Sequence, residues 1–183
     1  MINAKDTLDL IISRQSDRKY SDRKVEKDKL DRIVEAGRMS PSACNAQPWK
    51  LVVVDDSQLV LRVAEAASAK LIGMNSFVAQ APVIIVIVRE KANMSSKVGA
   101  TIKNKDYSLF DIGIATENIC LQAEAEGIGS CIIGWFDEKM IRKLLSIPKS
   151  KRVELLITLG YSISEKREKR RKPFDEVVSF NKY

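Results

Sequence analysis

The chain contains no histidine among its 183 residues. That absence removes the usual ligand of zinc and non-haem iron sites, and it rules out Ser-His-Asp and Cys-His arrangements. Cysteine is scarce as well. Cys44, Cys120 and Cys131 are odd in number and far apart, so neither a disulfide framework nor a CxxC metal knuckle is expected, and they read as reduced thiols. Aromatic residues make up only 6%, and no helix suited to reading a nucleic-acid groove stands out. The opening stretch MINAKDTLDLIISRQ interrupts its apolar residues with Lys5, Asp6 and Asp9. It is neither a signal peptide nor a membrane span, which gives a cytoplasmic address as the expectation. Repeats, linkers and a GxxxxGK[ST] phosphate loop are also missing. Chemistry in such a chain is expected to reside in a bound organic cofactor and not in a metal.

What remains is an ordinary globular composition, 45% hydrophobic and 30% charged, of a length that suits one domain over residues 1–183. Leu8, Ile11 and Ile12 give helical spacing over residues 5–14, with Asp6 or Thr7 as the cap. Further helices are predicted over residues 26–39, 57–72, 106–126 and 138–146, the last capped by Asp137. Strands are predicted at 51–54, at 82–88 (PVIIVIV), within 127–134 (GIGSCIIG) and at 152–160. The run PVIIVIV lacks polar alternation, which marks a central strand covered on both faces. The tail VVSFNKY reads as a possible edge strand, to this sheet or to a neighbouring chain, and the polar segment 89–105 as a loop or lid. The sum is an α+β domain with a mixed sheet.

Three features invite chemistry. GIGSC has two glycines of a dinucleotide fingerprint, but Ile132 stands where the third is needed, and the run follows a helix where the fingerprint follows a strand. The net charge of +7 is concentrated in two places: Arg14, Arg18, Lys19, Arg23 and Lys24 near the start, and Lys166, Arg167, Lys169, Arg170, Arg171 and Lys172 near the end. They are either solvated surface or two arms that converge on one anion. The loop PSACNAQPWK offers Ser42, Asn45 and Gln47, neutral groups that either stitch the loop together or read a heterocycle edge with alternating carbonyl and N–H groups. Cys44 within it is expected to be a small buried thiol, Trp49 to pack in the core and Asp111 to be structural; Trp135 is open to either core or substrate contact.

Taken in order, SRQSDRKYSDRKV, SPSACNAQPWKLVVV, APVIIVIV, DIGIATENICLQAEAEGIGSCIIG and LGYSISEKREKRRKPFDEVVSFNK resemble the nitroreductase-like FMN-dependent family from about Arg14 to Asn181. The resemblance implies an α+β homodimer with a central, mainly antiparallel sheet flanked by helices and two FMN sites in the subunit interface. Arg14, Gln15 and Ser16 match positions at the FMN phosphate and ribityl chain, with Gln15 in place of the family's more usual arginine or histidine. Arg18 matches a basic residue beside the ring, where it tunes reduction. Ser42 and Asn45 of the partner subunit would meet the ring's polar edge, Ile133 and Gly134 would lie along its face, and Lys169 and Arg171, or Arg170 in the adjacent register, would return to the phosphate. Asn75 has a looser match near the flavin.

The implied activity is two-stage hydride transfer from NADH or NADPH through flavin N5 to a nitroaromatic, quinone or similar electron-poor acceptor. No side chain serves as nucleophile and no metal takes part. A flavin-binding protein with little turnover is the alternative, and a basic nucleic-acid binder, suggested by pI 9.3, is the more distant one.

Overall fold

The structure, a computed structural model, describes residues 3–68, 74–91 and 106–183. Strands β1 (Trp49–Val54), β2 (Val83–Arg89), β3 (Gly129–Ile133) and β4 (Arg152–Gly160) form one sheet in the order β1-β2-β4-β3. Every ladder is antiparallel, with Val86 of β2 opposite Val52 on one side and Leu156 on the other. Among the described residues one parallel contact supplements them, an isolated bridge between Ser16 and Ser130.

Helices α2 (Lys27–Arg38) and α4 (Tyr107–Ala125) cover one face of this sheet, and α3 (Ser57–Ala67) and α5 (Glu138–Leu144) cover the other. The pleat explains why β2 is apolar throughout. Ile84, Val86 and Val88 enter the core shared with Val60, Val63 and Ile141, while Val83, Ile85 and Ile87 enter the core shared with Ile33, Ile112 and Ile119. A strand covered on both faces has no solvent side to keep polar. Trp49 packs against the second of these cores, as expected.

Helix α1 (Ala4–Ser13) lies against α4 and is capped by Asn3, whose side chain accepts the Lys5 N–H at 3.1 Å. The cap thus falls three residues before the expected Asp6. Helix α3 stops at Ala67, where Ser68 turns extended; residues 69–72 of the span expected to be helical lie outside the described residues. Residues 92–105 of the expected loop also lie outside them.

The tail departs from expectation. It forms a single helical turn, α6 (Phe174–Val177), and residues 178–183 carry no strand. Pro173 precedes that turn with φ −51°, suited to a helix start, and Asp175 and Glu176 favour its amino end.

Candidate cofactor site

The two basic regions meet. Lys169 Nζ donates to the Ile11 carbonyl at 2.5 Å and Lys166 Nζ to that of Ser13 at 3.1 Å. These are carbonyls of the last turn of α1, which lack partners within the helix, and an ammonium satisfies both their hydrogen bonding and the negative end of the helix dipole. Residues from the far end of the chain thereby cap its first helix.

Gln15 closes the join. Its Nε2 donates to Asp17 Oδ1 at 2.9 Å and to the Glu165 carbonyl at 3.1 Å, and its Oε1 accepts the Arg167 N–H at 3.1 Å. All of its amide's main hydrogen-bonding directions are used inside the protein. Gln15 therefore borders the site with its side chain committed to holding two segments together. Arg167 adds a bond from its guanidinium to the Ser16 carbonyl at 2.7 Å.

Beneath Gln15 lies a buried polar network anchored on the sheet. Asp17, 1% exposed, accepts from Gln15 and from the Ser162 hydroxyl at 2.7 Å, and its N–H donates to the Ser130 carbonyl of β3 at 2.9 Å. Tyr20 donates its hydroxyl hydrogen to the Asp17 carbonyl at 2.7 Å and sits 2.8 Å from the Thr158 hydroxyl of β4. Burial pushes the Tyr20 phenol far up, so it stays protonated and able to donate. Two glycines make the space. A Cβ on Gly129 would stand 2.8 Å from Asp17 Oδ2, and one on Gly160 would stand 2.9 Å from the Tyr20 ring. The second glycine of GIGSC, Gly129, thus serves packing against Asp17.

The result is a cleft of about 610 Å³ lined by Arg14, Gln15, Ser16, Arg18 and residues 167–171. Arg14, Ser16, Arg18, Lys169 and Arg171 are together there, and Arg167 and Arg170 join them, so both registers of the tail reach the same space. The cations crowd one another: burial lowers the Lys169 ammonium's pKa first, and the Arg14 and Arg171 guanidiniums push it further down. Arg14 Nε is buried with no hydrogen-bond acceptor, although Glu117 Oε1 stands 3.3 Å away. The Arg18 guanidinium lies 6.0 Å from the centre of the Phe77 ring. Concentrated positive charge and an orphaned guanidinium N–H are what a phosphate dianion satisfies.

The other expected residues lie elsewhere in the chain. Ile133 ends β3 and is buried, and Gly134 is exposed beside it; neither lines this cleft. Ser42 and Asn45 belong to the loop after α2, where Ser42 precedes a short 3-10 turn (Ala43–Asn45) and Asn45 ends it. Within one chain that loop is self-stitched: Gln47 N–H donates to Ser42 Oγ at 2.9 Å, and Gln47 Nε2 donates to Asn45 Oδ1 at 3.1 Å. Buried Asp111 of α4 accepts the Ala43 N–H at 3.1 Å, the structural role expected of it. Cys44, Asn45 and Gln47 have φ of 52°, 49° and 45°, a left-handed run for non-glycine residues that these bonds maintain.

That turn carries Cys44 to the surface, contrary to the expected buried thiol, whereas Cys120 and Cys131 are buried and none of the three is in a disulfide. Burial pushes the Cys120 thiol up to about 11, which keeps it unreactive. Asn75 donates to the carbonyls of Ala67 at 3.1 Å and Trp135 at 3.2 Å, tying the end of α3 to the segment after β3, and Trp135 itself is exposed.

Comparison with known proteins adds the lineage. The nitroreductase family pattern, described as "Nitroreductase family", matches residues 11–73 and 70–161. The chain belongs to the nitroreductase family. A relative from Archaeoglobus fulgidus, provisionally named NADH dehydrogenase/NAD(P)H nitroreductase, is 32% identical over 165 residues, covering 87% of each chain. The solved FMN-dependent nitroreductase of Clostridium difficile R20291 superposes with a TM-score of 0.79 at 32% identity, covering 96% of this chain and 99% of that one. The NADPH:FMN oxidoreductase of Vibrio harveyi, solved with NAD+, gives a TM-score of 0.80 at 25% identity over 97% of this chain and 78% of its own.

Asp17 and Tyr20 are the contributors that sequence reasoning did not single out, while Arg167 was named there only as one member of the basic cluster near the end. Asp17 is a short acid between two basic residues in RQSDR, and only its burial distinguishes it from a solvated charge.

Proposed function

We propose that this nitroreductase-family chain is an FMN-dependent NAD(P)H oxidoreductase, built as a single domain over residues 1–183 and active as a homodimer. The observation that carries the proposal is the convergence of Arg14, Ser16 and Arg18 with residues 167–171 in one cleft. Arg14, Arg167, Lys169, Arg170 and Arg171 would hold the FMN phosphate, with Ser16 at the ribityl chain. Guanidinium forks suit phosphate because they donate paired, charge-assisted hydrogen bonds. Ile133 and Gly134 would border the ring, and Ser42 and Asn45 of a second copy would meet its polar edge. Asn45 is exposed, and its amide nitrogen makes no hydrogen bond among the described residues, so it has donor capacity to offer.

Exposed apolar residues support association of two copies. Leu8, Ile11 and Ile12 of α1 are 56%, 44% and 54% exposed, and Leu109, Phe110 and Ile114 of α4, the helix α1 rests on, are exposed as well. Apolar rows of this kind on adjoining helices are what a subunit interface covers.

The chemistry such a cofactor supplies when bound is hydride acceptance from NADH or NADPH and delivery of two electrons to a nitroaromatic, quinone or similar acceptor. The protein's own part is to bind, orient and set the field. Arg18 places a fixed positive charge at the site, which favours the reduced, more negative state of a bound ring. The network from Thr158 through Tyr20 and Asp17 to Gln15 fixes the backbone that carries Ser16 and Arg18, so the positioning groups are set before a ligand arrives. No proton need be moved by histidine, in keeping with its absence from the sequence.

The test is the visible spectrum of the purified protein followed by stopped-flow mixing with NADPH and NADH. Yellow protein bleached by either nucleotide, and recoloured by a nitroaromatic or quinone, is the expected outcome. A colourless protein that ignores added FMN would refute the cofactor, and a bound flavin that neither nucleotide reduces would refute the activity.

A further inference from the structure

Two glutamates of α4 face the basic cleft from outside its lining. Glu117 and Glu124 are seven residues apart, which places them on one side of the helix about 10 Å from each other. Each meets a different arm. Glu117 Oε1 stands 3.3 Å from Arg14 Nε, and Glu124 Oε1 lies 2.5 Å from Lys166 Nζ, the ammonium that also caps Ser13.

We infer that Glu117 is a resident counter-ion of the cleft: it neutralises Arg14 while no phosphorylated ligand is bound and competes with such a ligand for that arginine. The inference deepens the FMN reading and takes its ligand class from it.

The two ion pairs differ in the way this requires. Glu124 is 13% exposed and makes a short hydrogen bond, so it is a fixed brace between α4 and the tail. Glu117 is 43% exposed, and Arg14 Nε, though near it, has no hydrogen bond. A contact held by charge without aligned hydrogen bonds yields to a better acceptor. The cleft also needs an anion when empty. Like charges gathered in partly desolvated space repel, and both glutamates act on Lys169 against the push from Arg14 and Arg171. A carboxylate near Arg14 relieves that repulsion, and the same carboxylate opposes a dianion arriving at Arg14. One residue therefore pulls stability of the empty protein and affinity for phosphate in opposite directions, which a purely structural ion pair does not do.

The experiment uses the full chain, stripped of any flavin, in wild-type form and as Glu117→Gln, Glu117→Asp and Glu124→Gln. Thermal unfolding is followed without ligand and during titration with inorganic phosphate, inorganic pyrophosphate and FMN. For Glu117→Gln we expect a lower melting temperature of the empty protein together with binding of phosphate and pyrophosphate tightened about two- to fivefold, the range of one partly exposed ion pair. Glu117→Asp keeps the charge and should bind within twofold of wild type. Glu124→Gln should lower the melting temperature without tightening either anion. Unchanged or weaker phosphate binding by Glu117→Gln overturns the inference, as does a wild-type protein that responds to neither inorganic anion. Should Glu117→Gln fail to fold, Glu117→Ala is read by the same criteria. If the inorganic anions behave as expected and FMN does not bind, the FMN reading fails and the counter-ion role stands.

Discussion

Gln15 and Arg167 are joined across 152 positions of sequence: the Gln15 amide oxygen accepts the Arg167 backbone N–H at 3.1 Å while its nitrogen holds Asp17 and the Glu165 carbonyl. A neutral side chain, fully hydrogen-bonded, is thus what fastens the basic tail to the basic amino-terminal segment. A cationic residue at position 15 has no acceptor to offer Arg167.

Gln15→Leu should release the tail. It removes three hydrogen bonds and leaves buried partners unsatisfied, a loss of about 1–3 kcal/mol. Affinity for FMN should fall by about tenfold or more. Urea unfolding and fluorescence titration of FMN measure the two effects on the same preparation.

Gly129→Ala tests the buried Asp17 from the other side. A new Cβ 2.8 Å from Asp17 Oδ2 and from Ser162 Cβ forces the carboxylate or the strand to move. The expected loss is about 1–3 kcal/mol, the usual range for overpacking, read as a lower urea midpoint with an unchanged slope.

Asp17 also shows where sequence reasoning stops. The strand PVIIVIV is legible because every residue is apolar, and both of its packed faces follow from that alone. The meeting of the two basic arms was suggested by charge placement and by family resemblance. Asp17 and Tyr20 were not legible, because their partners Ser162 and Thr158 lie 145 and 138 residues away and no local period signals them. Residue type alone suggests a buried Cys44, whereas the turn with left-handed Cys44, Asn45 and Gln47 carries it outward. Within this chain the tail adds no strand, although VVSF has strand character, because Pro173 with the acidic pair after it favours a helical turn.

Acid should weaken the fold through Glu26. The Tyr161 hydroxyl and then the Arg23 guanidinium hold its carboxyl down to about 2 from 4.5. A depressed carboxyl contributes stability that is fully present above the unfolded value and is lost as pH falls from about 4.5 toward 2. Glu26→Gln should flatten the fall in urea midpoint across that window and leave the neutral-pH slope unaltered. Wild type and variant losing stability in parallel would show that other carboxylates govern acid unfolding.

Arg18→Ala should separate binding from chemistry. Its guanidinium rests near the Phe77 ring and has no carboxylate ion pair among the described residues, so its charge is free to act on a bound ring. We expect flavin reduction by NAD(P)H to slow about tenfold or more, equivalent to about 1.4 kcal/mol in the barrier, with a smaller change in FMN affinity. Stopped-flow bleaching and equilibrium titration give the two numbers independently.

The central claim is that basic groups from both ends of the chain grip one phosphate, and the most direct measurement is a double-mutant cycle on FMN affinity. Arg14→Ala, Arg170→Ala and the double variant are titrated with FMN and, as the phosphate-free control, with riboflavin. The account predicts weaker FMN binding in each single variant, a coupling of at least ~0.5 kcal/mol between them, and no change toward riboflavin. Additive losses, or losses equally large for riboflavin, would contradict it.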